Sequence, residues 1–255
     1  MRRSLILAAS IAALAVSGVS SARVVDGHME ARSYAAVLAD PLRPAEDRAR
    51  DEARHTAETL AFAHVAPGQK IADMIIGGGY FTRVFSSAVG QTGHVTAWQP
   101  AEFIGFSADY GTSITKVDEL ANVDAIRSPI GAPEFPAGLD LIFTAQNYHD
   151  LHLTPFGPDT ATRVNAAAFA ALKPGGLYVI IDHHAAAASG LSATNTLHRI
   201  DIEAVKTEVQ AAGFVLDGQS NILANTTDPL TANVFDEAIR GKTSQFMLRF
   251  RKPRI

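Results

Sequence analysis

The chain has 255 residues, 47% of them hydrophobic and 19% charged, which is enough for one sizeable core and too little for two comfortable ones. A formal net charge of −4 gives no basic surface to neutralise phosphates, and this excludes nucleic acid as a partner. The absence of cysteine excludes a disulfide framework and a thiolate metal site, so stability rests on packing.

Arg2 and Arg3 precede an apolar run from Leu5 to Val16, and Ser20-Ser21-Ala22 follows with small residues suited to cleavage. Residues 1–22 therefore read as a secretory signal peptide, and the mature protein is expected to be exported, to the periplasm. The apolar run of about 12 residues is shorter than the roughly 20 that span a bilayer, and no later segment qualifies, so no stable membrane span is expected after cleavage. Without Arg2 and Arg3 the chain keeps 20 basic residues against 26 acidic, a net charge of −6.

Residues 23–66 read as a helical extension ahead of a domain at 67–255. From residue 31 to 66, charged residues (Glu46, Asp47, Arg48, Arg50, Asp51, Glu52, Arg54) precede Leu60, Phe62 and Val65, the pattern of a leading helix. Opposite charges three and four apart are expected to pair along its surface until Pro67-Gly68 stops it.

Ile71 to Ile76 is a short apolar run bounded by glycines further along, as in a strand buried on both faces of a parallel sheet. Helical spacing follows over Tyr80 to Val89, then a strand at Gly93 to Trp98, a weaker helix over about 101–120, and a strand at Val123 to Arg127. Leu139 to Ala145 is a fourth strand. Asp159 to Leu172 reads as a helix closed by Lys173-Pro174-Gly175-Gly176, and Leu177 to Asp182 as a fifth strand, with Ala185 to Ala188 in a loop beside it. A helix from Asp201 to about Ala212, a strand from Phe214 to Leu216 and beyond, and a strand at Gln245 to Phe250 complete the set. This alternation is the mark of βαβ units.

A strand running through Gly77-Gly78-Gly79 into a helix lets backbone N–H groups and the helix N-terminus face a ligand with no Cβ in the way. A tight structural turn would use the same triplet. The order of elements, with Asp73 to Thr82, Phe143 to Asp150 and Leu172 to Asp182, resembles the class I S-adenosylmethionine-dependent methyltransferases over about residues 45–252. Asp182 to Ala185, Leu197 to Asp201 and Phe235 to Thr243 look closest to a bacterial group of predicted exported methyltransferases.

The resemblance implies a Rossmann-like α/β fold: a mostly parallel seven-stranded sheet with an antiparallel last strand and helices on both faces. It implies S-adenosylmethionine as cofactor and methyl transfer to a small-molecule substrate. Carried over, it puts Asp73, Gly77, Gly78, Gly79, Gln99 and Asn147 at the cofactor. Ile75 replaces the family's first glycine, and Gln99 stands where an acidic residue holds the ribose hydroxyls.

His149 and His152 follow the fourth strand, while Asp182, His183 and His184 follow the fifth, so adjacent strand ends can bring the two groups together. His149, Asp182 and His183 are the candidate acid/base residues for a substrate hydroxyl. No residue is assigned to a metal, although His149-x-x-His152 plus a carboxylate also offers suitable ligands. Such a cluster would equally suit lyase, isomerase or hydrolase chemistry on the same fold, or a binding protein without turnover. Asp201 reads as a helix N-cap, and Arg199, Arg240 and Lys242 as surface charges able to meet an anion. Trp98, Tyr80, Phe81 and Tyr148 are either stacking surfaces or core.

Overall fold

The computed structural model describes residues 34–254, so the signal-peptide segment at 1–22 and the start of the extension lie outside the described residues. Seven apolar runs form strands: β1 (Lys70–Met74), β2 (His94–Trp98), β3 (Val123–Ile126), β4 (Leu139–Ala145), β5 (Leu172–His183), β6 (Val215–Ser220) and β7 (Gln245–Arg251). They make one sheet in the order β3-β2-β1-β4-β5-β7-β6. Pairing is parallel from β3 through β5, and β7 runs antiparallel to both its neighbours.

Alternation along the strands divides the core, because successive side chains point to opposite faces. Met74, Trp98, Ile142, Tyr178, Ile180 and Leu248 face one side, and Ile71, Val95, Leu141, Phe143, Val179 and Met247 the other. The helices are α1 (Ala35–Leu38), α2 (Ala45–Arg48), α3 (Thr56–Phe62), α4 (Tyr80–Val89), α5 (Ala101–Phe106), α6 (Ala108–Val117), α7 (Thr160–Ala171), α8 (Thr194–Leu197) and α9 (Ile202–Ala211). Buried residues of α5, α7 and α9 pack on the first face, and those of α3, α4 and α6 on the second. Each fully buried aliphatic or aromatic side chain contributes about 1.5–3 kcal/mol, so both layers hold the sheet. Among the described residues no helix is long and apolar enough to cross a membrane.

Four boundaries differ from the sequence reading, each for a local reason. The leading helix is three short helices, α1 to α3: Pro44 is extended at the start of α2, and His55 takes a positive φ of 45° before α3. Among the described residues its arginines and aspartates pair across the fold rather than three or four apart, and His55 Nδ1 with Glu58 Oε1 at 3.8 Å is the i,i+3 contact along it. Arg43 grips Asp51 with both Nη atoms at 2.6 and 2.8 Å, and Asp47 accepts from Arg83 Nε at 2.6 Å, tying the extension to α4. The helix expected over 101–120 breaks at Ser107, which is extended and whose hydroxyl caps the N–H of Asp109. Strand β1 stops at Met74 because Ile75 turns to φ +62°. Strand β5 starts early, with Leu172 opposite Leu139, and Lys173 to Gly176 bulge before the register resumes at Leu141 and Leu177. Asp201 is the N-cap of α9, accepting from the Glu203 N–H at 3.0 Å.

Candidate functional site

The carboxyl ends of β1, β4 and β5 lie side by side, and successive connections leave the sheet in opposite directions between β1 and β4. A crevice opens at such a reversal, the usual ligand site of open α/β sheets. A cavity of about 550 Å³ occupies it, lined by Asp73, Ile75, Gly77, Gly78, Asn147, His149 and His183 among others. A second, of about 420 Å³, shares its wall at Arg50, Arg54, Phe81, His183 and Arg240.

The glycines divide by role. A Cβ on Gly77 or Gly78 would meet nothing within 4 Å, so their faces are bare to the cavity. A Cβ on Gly79 would lie 2.6 Å from Val117 Cγ1 and 2.9 Å from Arg83 Nη1; that glycine, at φ +76°, serves the close entry into α4. Ile75 holds a left-handed conformation that costs a β-branched residue roughly 1–2 kcal/mol. Asn147 fixes it, donating from Nδ2 to the carbonyls of Ile75 at 3.0 Å and Ala145 at 2.7 Å. Gln99 is fully buried; its Oε1 accepts the Gly77 N–H at 3.0 Å, and its Nε2 has no hydrogen-bond partner. Asp73, also buried, accepts from the Thr82 hydroxyl at 2.6 Å. Burial pushes its carboxyl up to about 7 despite that bond and the nearby Arg83 and Arg54.

Across the crevice His149, Asp182 and His183 meet as the adjacent strands allow. Asp182, fully buried at the end of β5, takes the His149 backbone N–H on Oδ2 at 2.7 Å and the His149 Nδ1 on Oδ1 at 2.8 Å. His149 Nε2 lies 3.2 Å from Asp150 Oδ1. Burial disfavours the imidazolium, but Asp182 and Asp150 outweigh it and push His149 up to about 10. His183 goes the other way: burial, with His149 and Arg199 adding to it, lowers it to about 4, against the pull of Asp182. Its Nδ1 meets Thr243 Oγ1 at 2.8 Å. One imidazole is thus charged at neutral pH and its neighbour, 6.0 Å away between ring centres, is not.

Two residues join this group that the sequence reading left out of the site. Asp150 follows His149 directly, and His198 arrives from the C-terminal end of α8, its ring 5.4 Å from that of His149. Both belong to the quoted motifs, yet no local pattern shows that they converge. Other candidates go elsewhere. His152 pairs with Glu208, and His184 packs on Phe246. Arg199 is fully buried in a two-pronged pair with Asp228, and Lys242 is exposed outside both cavities. Trp98 and Tyr148 are core, whereas Tyr80 and Phe81 line the cavity.

Arg50, Arg54 and Arg240 line both cavities and make no ion pair with a carboxylate among the described residues. Arg43, Arg83, Arg199, Arg249 and Arg251 all do. Burial and the adjacent Arg50 lower Arg54 to about 10.

These residues fit S-adenosylmethionine: bare glycine faces for the cofactor's backbone contacts, a buried amide donor at Gln99 lacking a partner, and a cavity of ligand size. No family model and no curated protein matches the chain. Solved structures do. An S-adenosylmethionine-dependent methyltransferase from Aquifex aeolicus superposes with a TM-score of 0.57 at 18% identity, over 89% of this chain and 99% of that one. One from Mesorhizobium loti gives 0.51 at 16%, over 73% and 92%. The cyclase SpnF gives 0.56 at 16%, over 79% and 80%. The fold is therefore the Rossmann-like one of class I methyltransferases, and the cyclase shares it.

Proposed function

We propose that the protein transfers a methyl group from S-adenosylmethionine to a small-molecule acceptor. The observation that carries this reading is the pair of glycine faces, Gly77 and Gly78, opening onto the same cavity as His149 and His183. Asp73, Gly77, Gly78, Gln99 and Asn147 hold the cofactor, with Gly79 shaping the loop. The cofactor supplies an electrophilic methyl group, so the protein's task is alignment and removal of the acceptor's proton. His149 has its ring nitrogens on Asp182 and Asp150 and keeps its proton at neutral pH. His183 is uncharged there, and its Nε2 has no partner among the described residues, so with Nδ1–H donating to the Thr243 hydroxyl that atom lines the cavity as the proton acceptor. Asp182 positions both, since its Oδ1 also takes the His183 N–H at 2.7 Å. The unpaired arginines favour an acceptor with an anionic group.

Gly78→Val tests the reading, because its Cβ enters open space at the cavity, with circular dichroism checking that the variant is folded. Calorimetry is expected to show S-adenosylhomocysteine binding to the full chain and not to this variant. Equal binding by both, or none by the parent, removes the cofactor from the cavity.

A second reading keeps the fold and changes the reaction to a lyase, isomerase or hydrolase step. Its support is Ile75 and the buried Gln99 at the cofactor end, together with a cyclase on this fold. Turnover that persists without S-adenosylmethionine and is lost in His183→Ala would favour it. Export to the periplasm is part of either proposal, and N-terminal sequencing of protein from that compartment should find residue 23 first.

A further inference from the structure

We propose that His149, Asp150 and His198 form a binding site for a divalent transition-metal ion, zinc by preference. One donor atom from each lies within 4.8 Å of the others. His149 Nε2 is 3.2 Å and His198 Nδ1 is 3.8 Å from Asp150 Oδ1. Ligands at about 2.0–2.2 Å from a tetrahedral zinc stand roughly 3.3–3.6 Å apart, so the three atoms need only small side-chain rotations to close on one ion, which takes the place of the proton that His149 Nε2 shares with Asp150 in the metal-free protein and releases it to solvent.

Three features go beyond mere proximity. The first is that Asp182 holds His149 Nδ1 at 2.8 Å, which turns Nε2 towards Asp150 and His198. A carboxylate behind a histidine in this way fixes the ring for a metal on its far nitrogen. The second is His198 itself. A hydrogen-bonded imidazolium between two carboxyls accounts for His149 but not for His198, whose 3.8 Å separation from Asp150 is too long for a hydrogen bond. That residue is held at φ +53°, with its ring against Phe235 at 4.9 Å between centres. The third is that all three residues line the larger cavity, so further coordination positions face a ligand.

Two imidazole nitrogens and one carboxylate oxygen select zinc or a similar transition metal over magnesium or calcium, which prefer oxygen alone. The ion's open position would take an oxygen of the small molecule bound in the cavity. The metal site does not depend on methyl transfer, because its three donor atoms converge whatever fills the glycine end of the cavity.

The test titrates zinc chloride into the full chain after chelator treatment, with cobalt(II) absorption reporting the ligand set. The expected result is one ion per chain, affinity reduced at least roughly 100-fold in His198→Ala, and affinity unchanged in His152→Ala, with circular dichroism showing both variants folded. S-adenosylhomocysteine binding should survive in His198→Ala, which separates loss of metal from loss of the cofactor site. No stoichiometric uptake by the parent protein, undiminished affinity in His198→Ala, or loss of binding in His152→Ala instead would each overturn the assignment.

Discussion

Two loops at neighbouring strand ends are built on opposite principles. After β1, the cradle is made of backbone: bare glycines, a left-handed Ile75, and side chains such as Gln99 and Asn147 that hold main-chain groups. After β4 and β5, the cluster is made of side chains: His149, Asp150, Asp182 and His183, with His198 brought in from α8. A backbone cradle depends on conformations that few residues adopt, whereas a side-chain cluster depends on burying charges that must find partners. Substitutions should therefore fail differently in the two places.

The largest effect is expected at Asp182. Asp182→Ala removes the acceptor of three hydrogen bonds and leaves the buried His149 imidazolium without one of its two carboxyls. Stripping one partner from a buried pair costs about 3–5 kcal/mol, which urea denaturation would read as a lower midpoint at unchanged slope. A loss below 1 kcal/mol would mean that the cluster does not hold its charges as described.

The glycine loop should show a sharper division. Gly79→Ala combines a left-handed position with a contact 2.6 Å from Val117, and is expected to cost about 2–4 kcal/mol. Gly78→Ala, one residue away with open space at its Cβ, should change stability by less than about 0.5 kcal/mol. Thermal denaturation of the two side by side checks this, and similar losses would erase the distinction between a packing glycine and a ligand-facing one.

The same contrast explains what could be read from the sequence. Strands showed as apolar runs, and the glycine triplet showed because backbone requirements leave a mark on neighbouring residues. The sequence predicts one leading helix because charges such as Asp47 and Asp51 look like members of helix-surface pairs, yet Asp51 pairs with Arg43 ahead of α2 and Asp47 with Arg83 of α4. Gln99 was legible as a departure, but not that its oxygen would cap Gly77. His198 and Arg54 left no local sign of the crevice, because only the packing of α8 and of the extension against the strand ends brings them there.

Asp73 offers a test of intermediate size through pH. Its carboxyl titrates at about 7 in the fold, against an ordinary value near 4 when unfolded, so between these limits the native state binds the extra proton. The Asp73 contribution to stability should fall as pH rises across that window, by up to about 1.4 kcal/mol per unit, and flatten above it, superposed on the opposite contribution of His183, which is lowered to about 4. Asp73→Asn, whose amide oxygen can still accept from Thr82, should remove that slope. The difference between parent and Asp73→Asn denaturation midpoints, measured at intervals between pH 4 and 8, gives the sign, because His149 and His183 contribute equally to both.

A small effect is expected where both loops share a wall. Arg54 packs over Tyr80 at 4.6 Å and Phe81 at 5.6 Å, with its charge half-buried beside Arg50 and in no ion pair among the described residues, Asp47 and Asp73 attracting it only from a distance. Methionine would keep contact with both rings and remove the desolvated charge, so Arg54→Met should be neutral or stabilising by about 1 kcal/mol. Arg43, paired with Asp51 and almost as deeply set as any residue in the fold, should instead lose stability on the same change. If Arg54→Met proves clearly destabilising, its charge has a structural partner in solution, and the case for an anionic acceptor weakens. If it is neutral, an arginine that adds nothing to stability stands in the cavity wall, as a residue kept for binding would.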